Sequence, residues 1–199
     1  MNTFEGYSVW SVTPGMGVDV DLVNPREILG EGWQHRVRTA LEKTERALTL
    51  RLLSKTAAAR ATVRDFFDAR FGSYRPFWVR SYKADYVLAQ AASATDTTIY
   101  VVPSGEIVGI DDLAKRYVYS ADHDTGYQVS NATTVGSDTR LDVSPALASD
   151  LAEGAILENL FFVRCASDLL EFEYLVTKVG GEHMTQAVLM CRELQRETP

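Results

Sequence analysis

Residues 44–78 read TERALTLRLLSKTAAARATVRDFFDARFGSYRPFW, and two periodicities follow one another inside this stretch. Leu48, Leu50 and Leu52 alternate with Thr49 and Arg51, the period-two spacing that puts apolar side chains on one face of a strand and polar ones on the other. From Lys55 to Phe71 the spacing changes to three and four. Ala59, Val63, Phe66, Phe67 and Phe71 then share one helical face, Ser54 or Thr56 is placed to cap the start, and Gly72 stands just past the end. Arg60, Arg64, Asp65 and Asp68 fall on the opposite face, where Arg64 and Asp68 are four apart, and read as solvated surface. Tyr74-Arg75-Pro76-Phe77-Trp78-Val79, Tyr82 and Tyr86-Val87-Leu88 follow at once, an aromatic and β-branched run typical of strands. The helix needs apolar partners for Phe66, Phe67 and Phe71, so Phe77 and Trp78 are expected to pack against it as core or as a subunit interface.

Working outward, Gly6–Val12 and Val18–Leu22 read as short strands separated by the Pro14-Gly15 turn, and Trp33–Arg38 as a further strand after the Gly30-Glu31-Gly32 loop. On the other side, Thr97–Val102, Tyr117–Ser120, Tyr127–Ser130 and Thr139–Val143 are expected strands, with Asp124-Thr125-Gly126 as a turn and Pro145–Glu153 as a helical turn. Leu160–Val163 is apolar. Leu170–Tyr174 and Ala187–Leu194 read as two strands joined around Gly180-Gly181, with Glu171, Glu173 and Arg192 turned to water.

With 199 residues, 46% of them hydrophobic, the chain can bury a substantial core. No stretch reaches the roughly 20 apolar residues that cross a bilayer, and Met1–Trp10 lacks the basic and apolar regions of a signal peptide, so a soluble protein without a membrane segment is expected. The net charge of −7 argues against specific nucleic-acid binding through a basic face. That charge is unevenly placed. Residues 92–160 hold 3 Lys+Arg against 11 Asp+Glu, and the remainder 17 against 16. The shift marks residues 92–160 as an acidic module, a small β-barrel inserted into a host β-sandwich formed by 1–91 and 161–199.

Chemistry-bearing constellations are sparse. No glycine spacing suited to a dinucleotide or a phosphate loop precedes a helix, and none of His35, His123 and His183 accompanies a nucleophile elbow. Asp122-His123-Asp124 is the most metal-like cluster, but neighbours in a strand point to opposite faces, and a hydrated hairpin tip is the expectation. Glu171 and Glu173 are read as solvated charges, and Cys165 and Cys191 as buried free thiols. No catalytic, cofactor-binding or metal-binding set is therefore expected. Tyr117, Tyr119 and Tyr127 read as exposed rings in the insert, which makes a carbohydrate- or receptor-binding face the alternative.

The order of parts carries a resemblance. Leu29-Gly30-Glu31-Gly32-Trp33-Gln34-His35-Arg36 precedes the strand ending Leu48-Thr49-Leu50. Next comes the helix ending Asp65-Phe66-Phe67-Asp68-Ala69-Arg70-Phe71-Gly72, then Tyr74-Arg75-Pro76-Phe77-Trp78. This order, with Ala166–Phe172 and Val188–Leu194 as returning strands, resembles the minor tail and distal tail proteins of long-tailed, siphovirus-like phages and of gene transfer agents. The likeness covers about two thirds of the chain; Arg80 departs from it, standing where a proline is expected. The resemblance implies a tail-tube-like β-sandwich with one flanking α-helix, and a tail-tip ring, commonly of six identical subunits. Such a ring joins the tail tube protein to the tip hub proteins, in a virion assembled in the host cytoplasm. It adds Trp33 and Arg36 to the expected core or interface residues; a tail terminator or head–tail connector is its near neighbour.

Overall fold

A computed structural model describes residues 3–4, 7–10, 18–23, 45–103, 116–179 and 182–194, and among them the chain is mainly β with one helix. In chain order the strands are β1 Thr3–Phe4, β2 Tyr7–Ser8, β3 Val18–Val23, β4 Glu45–Ser54, β5 Phe77–Arg80, β6 Tyr86–Leu88, β7 Thr98–Pro103, β8 Arg116–Ser120, β9 Thr125–Val135, β10 Asp138–Ser144, β11 Ile156–Cys165, β12 Glu173–Val179 and β13 Glu182–Glu193. The helix, α1, is Ala57–Ala69 and lies between β4 and β5. Trp33, Arg36 and the strand expected at Trp33–Arg38 lie outside the described residues, as does Gly180-Gly181. The chain divides into two compact units, Met1–Trp10 with Trp78–Phe161, and Ser11–Phe77 with Phe162–Pro199. The first contains the whole acidic segment 92–160 together with the strands just before it.

In the second unit β4 forms as its alternation demands, with Leu48, Leu50 and Leu52 almost wholly buried and Arg51 exposed. It pairs antiparallel with β3 on one side (Val20 opposite Leu48) and with β13 on the other (Leu189 opposite Leu50), so the strand order is β3–β4–β13. β13 continues onto the end of β11 through Val163–Glu193 and Cys165–Cys191, and onto β12, where Val179 faces Glu182. α1 starts because Thr56, in extended backbone, accepts a hydrogen bond from Ala59 N on its side-chain oxygen at 3.1 Å. Ser54, the other candidate cap, is instead buried inside β4. The helix ends where Phe71 (φ 53°) and Gly72 (φ 63°) enter left-handed backbone, with Gly72 N donating to Phe67 O. It buries Val63, Phe66 and Phe67.

In the first unit the pairings run β6–β7–β10–β9–β8, β8 pairs with β11 through Leu157–Leu160, and β11 returns to β6 through Ile156 and Leu157. Each strand of this cycle sends alternate residues to one core. Tyr86, Leu88, Ile99, Val101, Val118, Tyr127, Val129, Leu141, Val143 and Leu157 belong to it, and Ala92, Leu147 and Leu151 join it from outside the strands.

Several sequence expectations change here. Pro145–Glu153 is not a helical turn. Its backbone bonds go to the 92–96 segment: Leu147 N donates to Asp96 O, Thr95 N donates to Leu147 O, and Ala92 and Leu151 exchange a pair. Leu147 and Leu151 have helical spacing because both enter the same core, not because a helix carries them. The β8–β9 turn is Ala121–Asp124, with Asp124 at φ 50°, and Gly126 lies inside β9 opposite Tyr119. Strand β9 also runs on to Val135 as half of a hairpin with β10, closed over Gly136-Ser137 with Gly136 at φ 66°. Finally, Glu171 precedes β12 instead of sharing a strand face with Glu173, and both are exposed.

Candidate functional site

Of the described aromatic residues expected as core or subunit interface, Phe66, Phe67, Phe77 and Trp78 are buried and Phe71 is exposed. Phe66 and Phe77 meet edge to face with ring centroids 5.1 Å apart in the second unit, and both are buried with Phe67. Trp78, fully buried, belongs to the first unit and meets the Tyr117 ring at 4.5 Å. Phe71 is 64% exposed, because the left-handed turn that ends α1 swings it off the buried face. Tyr117, Tyr119 and Tyr127, expected as open rings, are 8%, 2% and 1% exposed. A stacking platform needs free ring faces, so these three do not form one.

The densest polar arrangement of the first unit centres on Glu158, which strand alternation had not singled out. Its carboxylate accepts from Arg80 Nη2 at 2.6 Å, Arg80 Nε at 3.0 Å and Tyr82 N at 3.2 Å. The fork of the guanidinium matches the two carboxylate oxygens, a geometry that lysine does not offer. The Arg80 guanidinium also lies over the rings of Tyr119 (4.3 Å) and Tyr82 (5.0 Å). Tyr119 donates its hydroxyl to Asp124, and Tyr82, in left-handed backbone, donates to Trp10 O at 3.2 Å. Burial pushes both tyrosine hydroxyls well above their ordinary range, and the bond to Asp124 adds to this at Tyr119. Both therefore stay protonated at neutral pH. Beside them Asp85 accepts from Ser81 Oγ and from Asn159 N at 2.7 Å, which pins the 81–85 loop to β11.

Of the Asp122-His123-Asp124 cluster, Asp122 is exposed, Asp124 accepts from Tyr119 within the hairpin, and His123 reaches both the hairpin and the 145–153 segment. His123 Nδ1 is 2.6 Å from Tyr127 Oη, and its Nε2 is 3.4 Å from Asp150 O. Among the described residues no group of three or more His, Cys, Asp or Glu is arranged to hold a metal ion. His183 lies in the second unit, with Nδ1 3.2 Å from Leu175 O.

Surface chemistry distinguishes the second unit. Of the nine exposed large hydrophobics among the described residues, six (Phe71, Tyr74, Leu169, Tyr174, Val188 and Met190) belong to it. Five of them fall on two stretches of the unit, and Tyr174 stands apart on β12. At the end of α1, Asp168 accepts from Ser73 N at 2.8 Å and Ser73 Oγ at 2.5 Å, which fastens the turn that carries the exposed Phe71 and Tyr74 to the segment that carries the exposed Leu169. On β13, Val188 and Met190 alternate with the buried Ala187, Leu189 and Cys191 and so stand on the outer sheet face, opposite Arg51 and Thr49 of β4. Arg164 and Arg192 face each other further along these strands. The first unit holds 5 Lys+Arg against 13 Asp+Glu, the second 15 against 14.

No protein-family model matches the chain, and no curated protein matches it. No helix among the described residues is long and apolar enough to cross a membrane.

Proposed function

We propose that this chain is a structural protein of a long-tailed phage tail tip, a subunit of a closed ring of six copies that joins the tail tube to the hub and adsorption proteins. Its place is the distal end of the tail in the virion, its role is mechanical, and it performs no catalysis. The host is a tail-tube-like β-sandwich with α1 on its flank, and the cycle of strands from β6 to β11 is a small closed β-barrel carrying the excess of acidic over basic residues.

The observation that carries this reading is the pair of separate exposed apolar surfaces on the second unit. A ring built from identical chains needs two different faces, since each subunit meets its neighbours head to tail. Monomeric proteins seldom leave large apolar side chains clustered in water. The strand–helix–aromatic order of residues 44–78 supports the same conclusion, and the near-neutral charge of the second unit allows copies to approach with little repulsion.

Sedimentation and negative-stain microscopy of the full chain, alone and with tail tube protein, test it. The expected result is a closed ring that Met190→Asp and Leu169→Asp each reduce to folded monomers, because either substitution buries a charge in one of the two contacts. Monomers under both conditions, or rings indifferent to both substitutions, would remove the basis for the proposal.

A further inference from the structure

Cys165, the last residue of β11, stands directly opposite Cys191 of β13. Flanking hydrogen bonds identify the kind of pair. Leu194 N donates to Phe162 O and Ala166 N donates to Met190 O, so Phe162/Leu194 and Ala166/Met190 are hydrogen-bonded pairs. Antiparallel strands alternate hydrogen-bonded with non-hydrogen-bonded pairs, and counting inward from either side makes Cys165/Cys191 non-hydrogen-bonded. In such pairs the Cα atoms are about 4.5 Å apart and the side chains lie closest. A disulfide accepts Cα separations of roughly 4.4–6.8 Å, so the two sulfurs can join without moving the strands apart. Both thiols are free and both are buried.

We propose that Cys165 and Cys191 are a site of reversible disulfide formation that covalently ties β11 to β13. The oxidant is a low-molecular-weight disulfide of the glutathione class. Cys165 loses its proton to solvent, and its thiolate attacks one sulfur of the oxidant, forming a mixed disulfide and expelling one small thiolate. The Cys191 sulfur then attacks Cys165 Sγ and expels the second small thiolate, which takes up the Cys191 proton. Two electrons pass from the protein sulfurs to the oxidant, one S–S bond is exchanged for another, and two small thiols are released.

The roles follow from the surroundings. Closeness to Cys191 lowers the Cys165 thiol from its ordinary range against burial and the charge of Asp168, whereas Cys191 is pushed up by its neighbour and by burial. Cys165 is also the strand-end member, next to the exposed Ala166, where local opening admits the oxidant. The bond would brace the strand that carries Val188 and Met190. The inference is independent of the tail-tip assignment, since it needs only the register of β11 and β13.

The full chain incubated with oxidised glutathione, then denatured and blocked with a maleimide, tests it by intact mass and by a non-reducing peptide map. The expected product is monomeric, lacks two hydrogens, carries no maleimide, and yields one cross-linked peptide pair containing Cys165 and Cys191. Dithiothreitol should reverse it. The oxidised form should melt higher by on the order of 5–10 °C, and Cys165→Ser and Cys191→Ser should each abolish that difference. Two maleimides per chain after oxidation, stable glutathione adducts, or cross-links between chains would each overturn the proposal, and the mass readout on the unmodified sequence does not depend on either variant folding.

Discussion

Glu158 receives three donors at one corner of the first unit, two from Arg80 and one from the backbone of Tyr82. Its side chain is 11% exposed and that of Arg80 is 22%, so the pair is largely withdrawn from water. Removing one partner leaves the other charged and desolvated, whereas replacing both with apolar residues removes the penalty together with the attraction. Glu158→Ala should therefore lower the unfolding free energy in urea by ~3–5 kcal/mol, and Arg80→Met with Glu158→Leu should regain most of that loss. A single-variant loss under ~1 kcal/mol would mean that water solvates the pair. Gly72 gives a second case. Its φ of 63° is costly for other residues, and an added Cβ would lie 2.7 Å from Asp168 Oδ1 and 2.9 Å from Asp168 Cα. Gly72→Ala should cost ~1–3 kcal/mol by the same urea measurement and loosen the turn that presents Phe71 and Tyr74. Neither position was legible beforehand, because the partners Glu158 and Asp168 come from far along the chain. Gly72 was recognised only as a helix stop.

Elements defined by their own side-chain period were legible, and those defined by a partner were not. β4 and α1 follow the leucine alternation and the three-and-four spacing closely, and Thr56 completes the helix start. Thr56→Ala should cost about 1 kcal/mol and fray the first turn, seen as a small loss of helical circular dichroism with a lower melting point. The far half of β9 behaves differently. Residues Thr133, Thr134 and Val135 are exposed and show no buried face, yet they are strand because β10 supplies their hydrogen bonds. The 145–153 stretch errs in the opposite sense, since two leucines four apart imitate a helix while the backbone bonds run to residues 92–96. In both cases the deciding contact is between backbones, which carry no residue-specific signal. The same lesson applies to Tyr117, Tyr119 and Tyr127, whose burial comes from strands closing around them and not from their neighbours in sequence.

Charge and pH act on the chain as a whole. In the first unit Asp142 accepts hydrogen bonds from Asn131, Arg140 and Thr98, which hold its carboxyl below the usual 3.8. In the second, Ser73 does the same for Asp168. A carboxyl whose value is lower folded than unfolded adds stability that is fully present above the unfolded value and is lost as pH falls through the folded one. The urea midpoint should thus hold steady from about pH 7 to 5 and drop below about pH 4, with Asp142→Asn and Asp168→Asn each flattening part of the drop. A midpoint that rises on acidification would contradict both assignments. Composition and periodicity alone settled the mainly β class, a helix within Lys55–Phe71, the acidic middle of the chain and the leucine core of β4, because each is a property of neighbouring residues. The pairing of β11 with both β6 and β8, the Arg80–Glu158 clamp, the facing cysteines and the exposure of Phe71 and Met190 were set by the folded chain. Each depends on which distant backbone or side chain arrives opposite, and loop closure brings those partners together without leaving a mark on local sequence.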